Sequence, residues 1–479
     1  MKATKRLLIY LALVILPWLA LTDFYTRGEP REAVVAQTML AQHNWILPTN
    51  NGGEMAYKPP FFHWCVATSS LPFGDVTEWT ARFPSALAAI IMLVWMFRFY
   101  RKRSDTGTAL LATLLCLTCF EVWRAAFACR VDMVLTLGIV GALFAFADWA
   151  EKQRRGVPWL AILMMSIGTL TKGPVAMLLP CAVTGAYLWL RGRGFWRSCC
   201  AMVGCGLVAL VLPALWYWAA YQQGGEHFLA LVREENIDRF LGKMSYASHE
   251  NPWWYNVEMI LAGWLPWSLV ALVKWIKQKC PMGNDKRLSF SVLGQRIRTM
   301  SPVNFFSLAA FVIIFVFYCI PKSKRGVYLL PVYPFSAWFL ALYLRDLGQR
   351  WWRWALGGVQ ALWLVAFAVV LPLMMNPRSD RDIAREVVKI SGREHLTSYV
   401  AGSAPGNPMH FFTINYYLHD GVGVWGETTP HAGYLLLTDS HVEAFRHANP
   451  DVHLTHIYTS SHKSCDTRGR VLLFRYAKP

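Results

Sequence analysis

The sequence predicts an all-α polytopic membrane protein of about eleven transmembrane helices, with a small α/β domain at its carboxyl end. Three observations predict it. Hydrophobic residues make up 55% of the 479, and mean hydropathy is +0.30. Apolar runs recur that approach the roughly 20 residues needed to cross a bilayer. From about Asn376 these runs stop, and short strand and helix patterns alternate instead.

The elements follow in order. Residues 7–22 form the first span, because no small-residue cleavage site precedes "DFYTRGEP". Further spans are read at 80–98, 107–122, 131–149, 158–171, 174–190, 200–220, 256–275, 304–320, 328–344 and 354–375. The amino end, with Lys2, Lys5 and Arg6, is placed in the cytoplasm. Alternation then puts "FRFYRKR", "EKQRR", "RGRGFWR", the stretch Lys274–Arg298 and "RDLGQRWWR" inside, and every one is basic. An odd number of spans leaves the carboxyl end outside. The expected division is a membrane domain over 1–375, with large outer loops at 23–79 and 221–253, and an outer domain over 376–479. In that domain "TSYVAG", "GVGVW", "GYLLLTD" and "RVLLFRYA" read as strands, and "HFFTINYYLHD" and "SHVEAFRHA" as helices.

A net charge of +18 in a soluble chain would point to nucleic acid. Here the basic residues flank spans, so no nucleic-acid partner is expected. The 11 cysteines are scattered. Cys116 and Cys119 in "TLLCLTCF" read as one face of a membrane helix rather than a zinc pair, and no disulfide framework is implied. No G-x-G-x-x-G or P-loop pattern argues for a nucleotide.

The loop 23–79 carries the chemistry. "TRGEPREAVVAQTML" packs Arg27, Glu29, Arg31 and Glu32 into six residues at a membrane edge. It reads as an amphipathic helix with Pro30 in its first turn and Val34, Val35, Met39 and Leu40 on the membrane interface. Lys58 then precedes two prolines that fix where its ammonium points. Asp132 and Lys172 stand at outer ends of other spans, and Lys322, Lys324 and Arg325 crowd another outer corner. An isolated Lys or Arg at this level snorkels to the headgroups. Acids and bases gathered at several membrane ends are costly unless paired or used. A lipid-linked phosphate suits them: Arg binds phosphate with two prongs, Lys as a point charge.

"GEPREAVVAQTMLAQHNWILP" with "YKPPFFHW", then "RVDMVL", "TLTKGPVA", "FLGKMSYASHENPWWYN" and "PKSKRGVYLLPVYP", resembles the GT-C membrane glycosyltransferases over about residues 7–345. The lipid A aminoarabinose transferases and protein O-mannosyltransferases are the branches it looks like. The resemblance implies sugar transfer from a polyprenyl (undecaprenyl) phosphate donor at the periplasmic face of the inner membrane. The acceptor is lipid A-like, another glycan or a protein. Arg31 and Lys58 match the family's phosphate-binding pair, Asp132 and Lys172 an outer network, and Lys322, Lys324 and Arg325 a basic corner near the donor phosphate. Tyr57, His249, Trp253 and Trp254 are the implied substrate pocket. Two departures stand out. Gly28 replaces the family's Asp before Glu29, and Tyr57 replaces a Glu before the Lys-Pro pair. That Glu, with the His, can bind a divalent metal; without it no metal is assigned.

The expected mechanism places Arg31, Lys58 and the 322–325 cluster on the leaving phosphate. The base would be a carboxylate. Glu29 is the candidate, and an ion pair to Arg31 is its alternative role. Glu32 and Asp132 are further carboxylates. If the acceptor is itself a phosphate, no strong base is needed. The competing function is a polyprenyl-linked sugar transporter or flippase. Such proteins place charges near the midplane on paired repeats, which this sequence does not show.

Overall fold

The computed structural model describes residues 2–152, 156–235, 250–279, 299–392, 394–399 and 411–479. Among these, five helical segments are long and apolar enough to cross a membrane: Glu78–Arg103, Val131–Glu151, Pro302–Cys319, Gly326–Leu347 and Gln349–Ser391. Three bent pairs raise the number to eight if each counts once, and two shorter apolar helices stand beside them. By length and composition the count therefore stops short of the expected eleven.

The first helices are α1 (Lys2–Ile15), α2 (Gly28–Gln42), α3 (Phe61–Ser70), α4 (Glu78–Arg103), α5 (Thr106–Thr118), α6 (Phe120–Ala126), α7 (Val131–Glu151) and α8 (Trp159–Lys172). Three expected single spans are bent. α5 and α6 meet at 68°, because Cys119 between them takes an extended conformation (φ −71°, ψ 143°). Cys116 and Cys119 thus do not share one continuous helix face, contrary to expectation. Helices Phe195–Ala209 and Val211–Arg233 meet at 41°, and the pair beginning at Tyr255 bends by 95°.

α7 is the central post, buried along most of its length and packed on α4, α8 and Val175–Leu190. Its approach to α8 is set by two glycines: a Cβ on Gly138 would stand 2.9 Å from the Gly168 Cα. Small residues at such crossings let helix backbones close in. That closeness brings Asp132, in the first turn of α7, to Lys172, in the last turn of α8.

Helix α2 does not lie on the membrane surface as expected. Val34, Val35 and Met39 are buried, because α2 packs on α3 and on helix Phe412–Tyr417 of the carboxyl-terminal domain. That domain holds a five-stranded mixed sheet. The short hairpin β1 (Thr49–Asn50) and β2 (Glu54–Met55) belongs to the first loop. The sheet contains β3 (Leu396–Ser398), β4 (Val422–Val424), β5 (Ala432–Thr438), β6 (His453–Lys463) and β7 (Arg470–Ala477), in the order β4-β3-β5-β7-β6. β3 runs parallel to β4 and β5, with Leu396 opposite Val422 and Tyr434; β7 is antiparallel to β5 and β6. Strand β6 and helix Asp380–Ser391 were not among the expected elements.

The domain is anchored to the first loop by polar contacts. Asp420 accepts from the Asn51 amide at 2.7 Å and from Asn415 Nδ2 at 2.6 Å. Tyr416 donates to the Val76 carbonyl at 2.6 Å. Arg381 pairs with Asp23 at 2.8 Å and also with Glu78.

Candidate active site

Two cavities flank the first turn of α2. The larger, about 400 Å³, is lined by Glu29, Arg82, Arg124, Arg130, Asp132 and Arg325. Its wall continues through Trp18, Phe127, Val327, Phe367 and Leu371, so it passes from charge to hydrocarbon. The smaller, about 30 Å³, is lined by Arg31, Glu32, Asn50, Glu54, Tyr57, Lys58 and His63.

Arg31 and Lys58 therefore meet at one cavity although 27 positions separate them. Each side chain is about a third exposed, at 33% and 31%. Arg31 pairs with Glu54 at 3.9 Å and lies over the Phe412 ring at 5.6 Å. Lys58 is 3.9 Å from Glu32, whose other oxygen is 2.9 Å from His63 Nε2. Burial raises the Glu32 carboxyl, but Lys58 and the His63 hydrogen bond outweigh it and hold the group well below the usual carboxylate range. Burial and the neighbouring Arg31 guanidinium push the Lys58 ammonium below its ordinary value. Glu32 is thus a carboxylate committed to orienting a cation.

In the larger cavity, Glu29 is neither free nor paired with Arg31. Its carboxylate accepts from Arg82 Nε at 2.8 Å, Arg82 Nη2 at 3.2 Å and the Cys129 amide at 3.0 Å. Arg82 is itself buried and donates to the carbonyls of Leu19 and Thr22. Asp132 differs. Lys172 Nζ donates to its Oδ1 at 2.5 Å, while the buried Oδ2 has no hydrogen-bond donor among the described residues. Arg130 Nε is 3.7 Å from that Oδ2. A buried oxygen left without a donor costs about 1–3 kcal/mol, more when charged. Asp132 itself lines the larger cavity.

The remaining expected residues divide. Of the basic corner, only Arg325 lines a cavity. Lys324 is buried and donates to the Asn251 carbonyl at 3.1 Å, and Lys322 is exposed and lines neither cavity. Lys172 lies 4.4 Å over the Tyr328 ring. Trp253 and Trp254 are exposed and line neither cavity. His249 lies outside the described residues. Sequence reasoning missed Arg82, Arg124, Arg130 and His63. The signal for Arg82 was a charge inside an apolar run.

Among the described residues, one group could hold a metal by spacing. Ligand atoms of Asp380, Cys465 and Asp466 lie within 4.8 Å of one another. Protein donors already serve them: Ser464 and the Cys465 amide bind Asp380, and Thr413 binds Asp466 twice. The cluster reads as a knot that fixes the start of helix Phe412–Tyr417.

A helical bundle with charged loop-end cavities and a small sheet domain packed on its first loop is the architecture to compare with known membrane proteins. The particular likenesses agree. The family model described as dolichyl-phosphate-mannose-protein mannosyltransferase matches residues 57–218. The undecaprenyl phosphate-alpha-4-amino-4-deoxy-L-arabinose arabinosyl transferase of Enterobacter sp. (strain 638) is 28% identical over 362 residues, covering 72% of this chain and 61% of that one. Its namesake in Shewanella sediminis is 27% identical over 337 residues, covering 68% and 56%. The chain thus spans between half and two thirds of the length of these curated relatives. The crystal structure of ArnT from Cupriavidus metallidurans bound to undecaprenyl phosphate superposes with a TM-score of 0.73 at 17% identity, over 99% of this chain and 98% of that one. The fold is shared, and the chain resembles the GT-C superfamily in its aminoarabinose-transferase and protein-mannosyltransferase branches.

Proposed function

We propose that this protein is a glycosyltransferase that moves a sugar from an undecaprenyl-phosphate donor to a lipid A-like or other acceptor. One observation carries the reading: Arg31 and Lys58 meet at one cavity beside the first turn of α2, and the cavity on its other side runs from arginines to apolar side chains. A lipid-linked anion needs cations for its phosphate and an apolar wall for its chain. In this reading Arg31 and Lys58 hold the donor phosphate and stabilise the charge it gains as the sugar leaves. Glu32 and His63 keep Lys58 in place. Asp132 accepts the proton of an acceptor hydroxyl, with Lys172 fixing its rotamer. Glu29 is a positioning residue: with Arg82 it sets the start of α2.

The enzyme is further read as residing in the inner membrane with its site toward the periplasm. Basic residues on the opposite loops support that orientation. Counting the two shorter helices and the amino-terminal one as crossings supports eleven spans and an outer carboxyl-terminal domain, with the boundary near 375.

The test is the mass of the product made by purified protein from undecaprenyl-phosphate sugars and membrane acceptors. A sugar-bearing lipid A, glycan or protein supports the reading. Donor recovered chemically intact but moved across the bilayer would replace it with transport.

A further inference from the structure

The carboxyl-terminal domain reaches the smaller cavity at a cation. The Arg31 guanidinium lies over the Phe412 ring, 5.6 Å from its centroid. Phe412 opens helix Phe412–Tyr417 and is 2% exposed. The ion pair from Arg31 to Glu54 is 3.9 Å long, beyond hydrogen-bond length, so it draws the guanidinium without setting its direction. The ring limits where the group can go, since a guanidinium within about 6 Å of an aromatic centroid is attracted to that face. Lys58 is held differently: its partner Glu32 is braced by His63 inside the membrane domain.

The helix that carries the ring is anchored at both ends. At its start the Thr413 amide donates to Asp466 Oδ2 at 2.6 Å, and the Thr413 hydroxyl to Oδ1 at 2.9 Å. Beside them Asp380 accepts from the Ser464 hydroxyl at 2.7 Å and the Cys465 amide at 3.1 Å. Further along, Asn415 Nδ2 donates to Asn51 Oδ1 at 3.0 Å, and Asn51 lines the smaller cavity with Arg31. The helix thus meets the rim of that cavity twice. The kind of contact at Arg31 matters as well. A guanidinium carries five N–H donors in a rigid fork, and a carboxylate at bonding distance takes two of them. A ring face holds the cation and leaves the fork open to phosphate oxygens.

We propose that Phe412 is a positioning residue for sugar transfer: its ring is the platform that aims the Arg31 guanidinium at the donor phosphate, so that the carboxyl-terminal domain completes the phosphate clamp. The inference rests on the glycosyltransferase reading and deepens it. Arg31 is steered from the carboxyl-terminal domain and Lys58 from the membrane domain. The two cations therefore keep their spacing only while the domains stay docked.

The experiment compares full-length wild type with Phe412→Leu, Phe412→Tyr, Phe411→Leu, Arg31→Gln and the Arg31→Gln/Phe412→Leu double variant in lipid nanodiscs. The Kd for undecaprenyl phosphate, transfer to the acceptor found by product mass, and melting temperature are measured. Phe412→Leu should raise the Kd by about fivefold and slow transfer. Phe412→Tyr keeps the ring and should stay within about twofold of wild type. Phe411→Leu removes a fully buried ring of the same cluster, over which no cation lies among the described residues. It should lower the melting temperature and leave the Kd within about twofold of wild type. In the Arg31→Gln background, loss of the Phe412 ring should change the Kd no further. The platform is overturned by a Phe412→Leu Kd within about twofold of wild type, by an equal rise in Phe411→Leu or Phe412→Tyr, or by multiplied losses in the double variant. If Phe412→Leu does not fold, Phe412→Met, which fills the site with an adaptable side chain and no ring, decides in its place. A wild type that neither binds undecaprenyl phosphate nor transfers sugar overturns the glycosyltransferase reading instead.

Discussion

Arg82 grips the carboxylate of Glu29 from two sides, 2.8 Å at Nε and 3.2 Å at Nη2, with both side chains nearly sealed from solvent. Breaking a buried pair from one side strands the other charge, at about 3–5 kcal/mol. Glu29→Ala and Arg82→Ala should each lower the melting temperature of the purified protein sharply. The double variant Glu29→Leu/Arg82→Met should melt closer to wild type than either. Equal melting of Glu29→Ala and wild type would show that the pair does not hold α2 in place.

Asp132→Asn keeps the shape of the side chain and removes its charge. Transfer should fall by roughly 10²–10⁴-fold, the range for a lost general base. Undecaprenyl phosphate should still bind, because Arg31 and Lys58 are untouched. Near-normal turnover of Asp132→Asn would remove Asp132 from the chemistry.

Lys58→Ala and Arg31→Ala should abolish transfer while protein abundance in the membrane stays near wild type. Glu32 keeps its His63 partner in the Lys58 variant, 2.9 Å away, so the local fold retains its buried hydrogen bond. Transfer and immunoblotting of membranes measure the two quantities together.

Asp466 sets a pH dependence in the carboxyl-terminal domain. Burial and the nearby Asp380 carboxylate push its carboxyl up to about 7. An unfolded Asp titrates near 3.9, so the folded state binds this proton more tightly. The associated stability is full below the unfolded value and is lost as pH rises through about 7. Every tenfold gain in proton affinity on folding is worth roughly 1.4 kcal/mol. Wild type should therefore melt lower at pH 8 than at pH 5, and Asp466→Asn should flatten that difference. Parallel pH profiles for the two proteins would contradict the assignment.

The membrane class and the small sheet domain were legible in the sequence, because hydropathy and strand patterns act locally; the meeting of Arg31 with Lys58 was implied by the family resemblance. Partner choice was not. Glu29 was offered Arg31 as a partner, yet residues two apart on a helix face different sides. Arg82 reaches Glu29 from 53 positions away, which the packing of α3 against both α2 and α4 helps arrange. The expectation that Val34, Val35 and Met39 face lipid failed for a related reason. An apolar helix stripe reads the same whether a membrane or another domain covers it, and here helix Phe412–Tyr417 does. The bend at Cys119 was hidden as well, since "TLLCLTCF" contains neither Gly nor Pro.

The decisive measurement is the mass of the acceptor after incubation of purified protein with an undecaprenyl-phosphate sugar. Wild type should make the acceptor heavier by one sugar residue, and Asp132→Asn or Lys58→Ala should leave it unchanged. An acceptor mass that wild type leaves unchanged across the candidate donors and acceptors, with the donor recovered intact, would contradict sugar transfer as the activity.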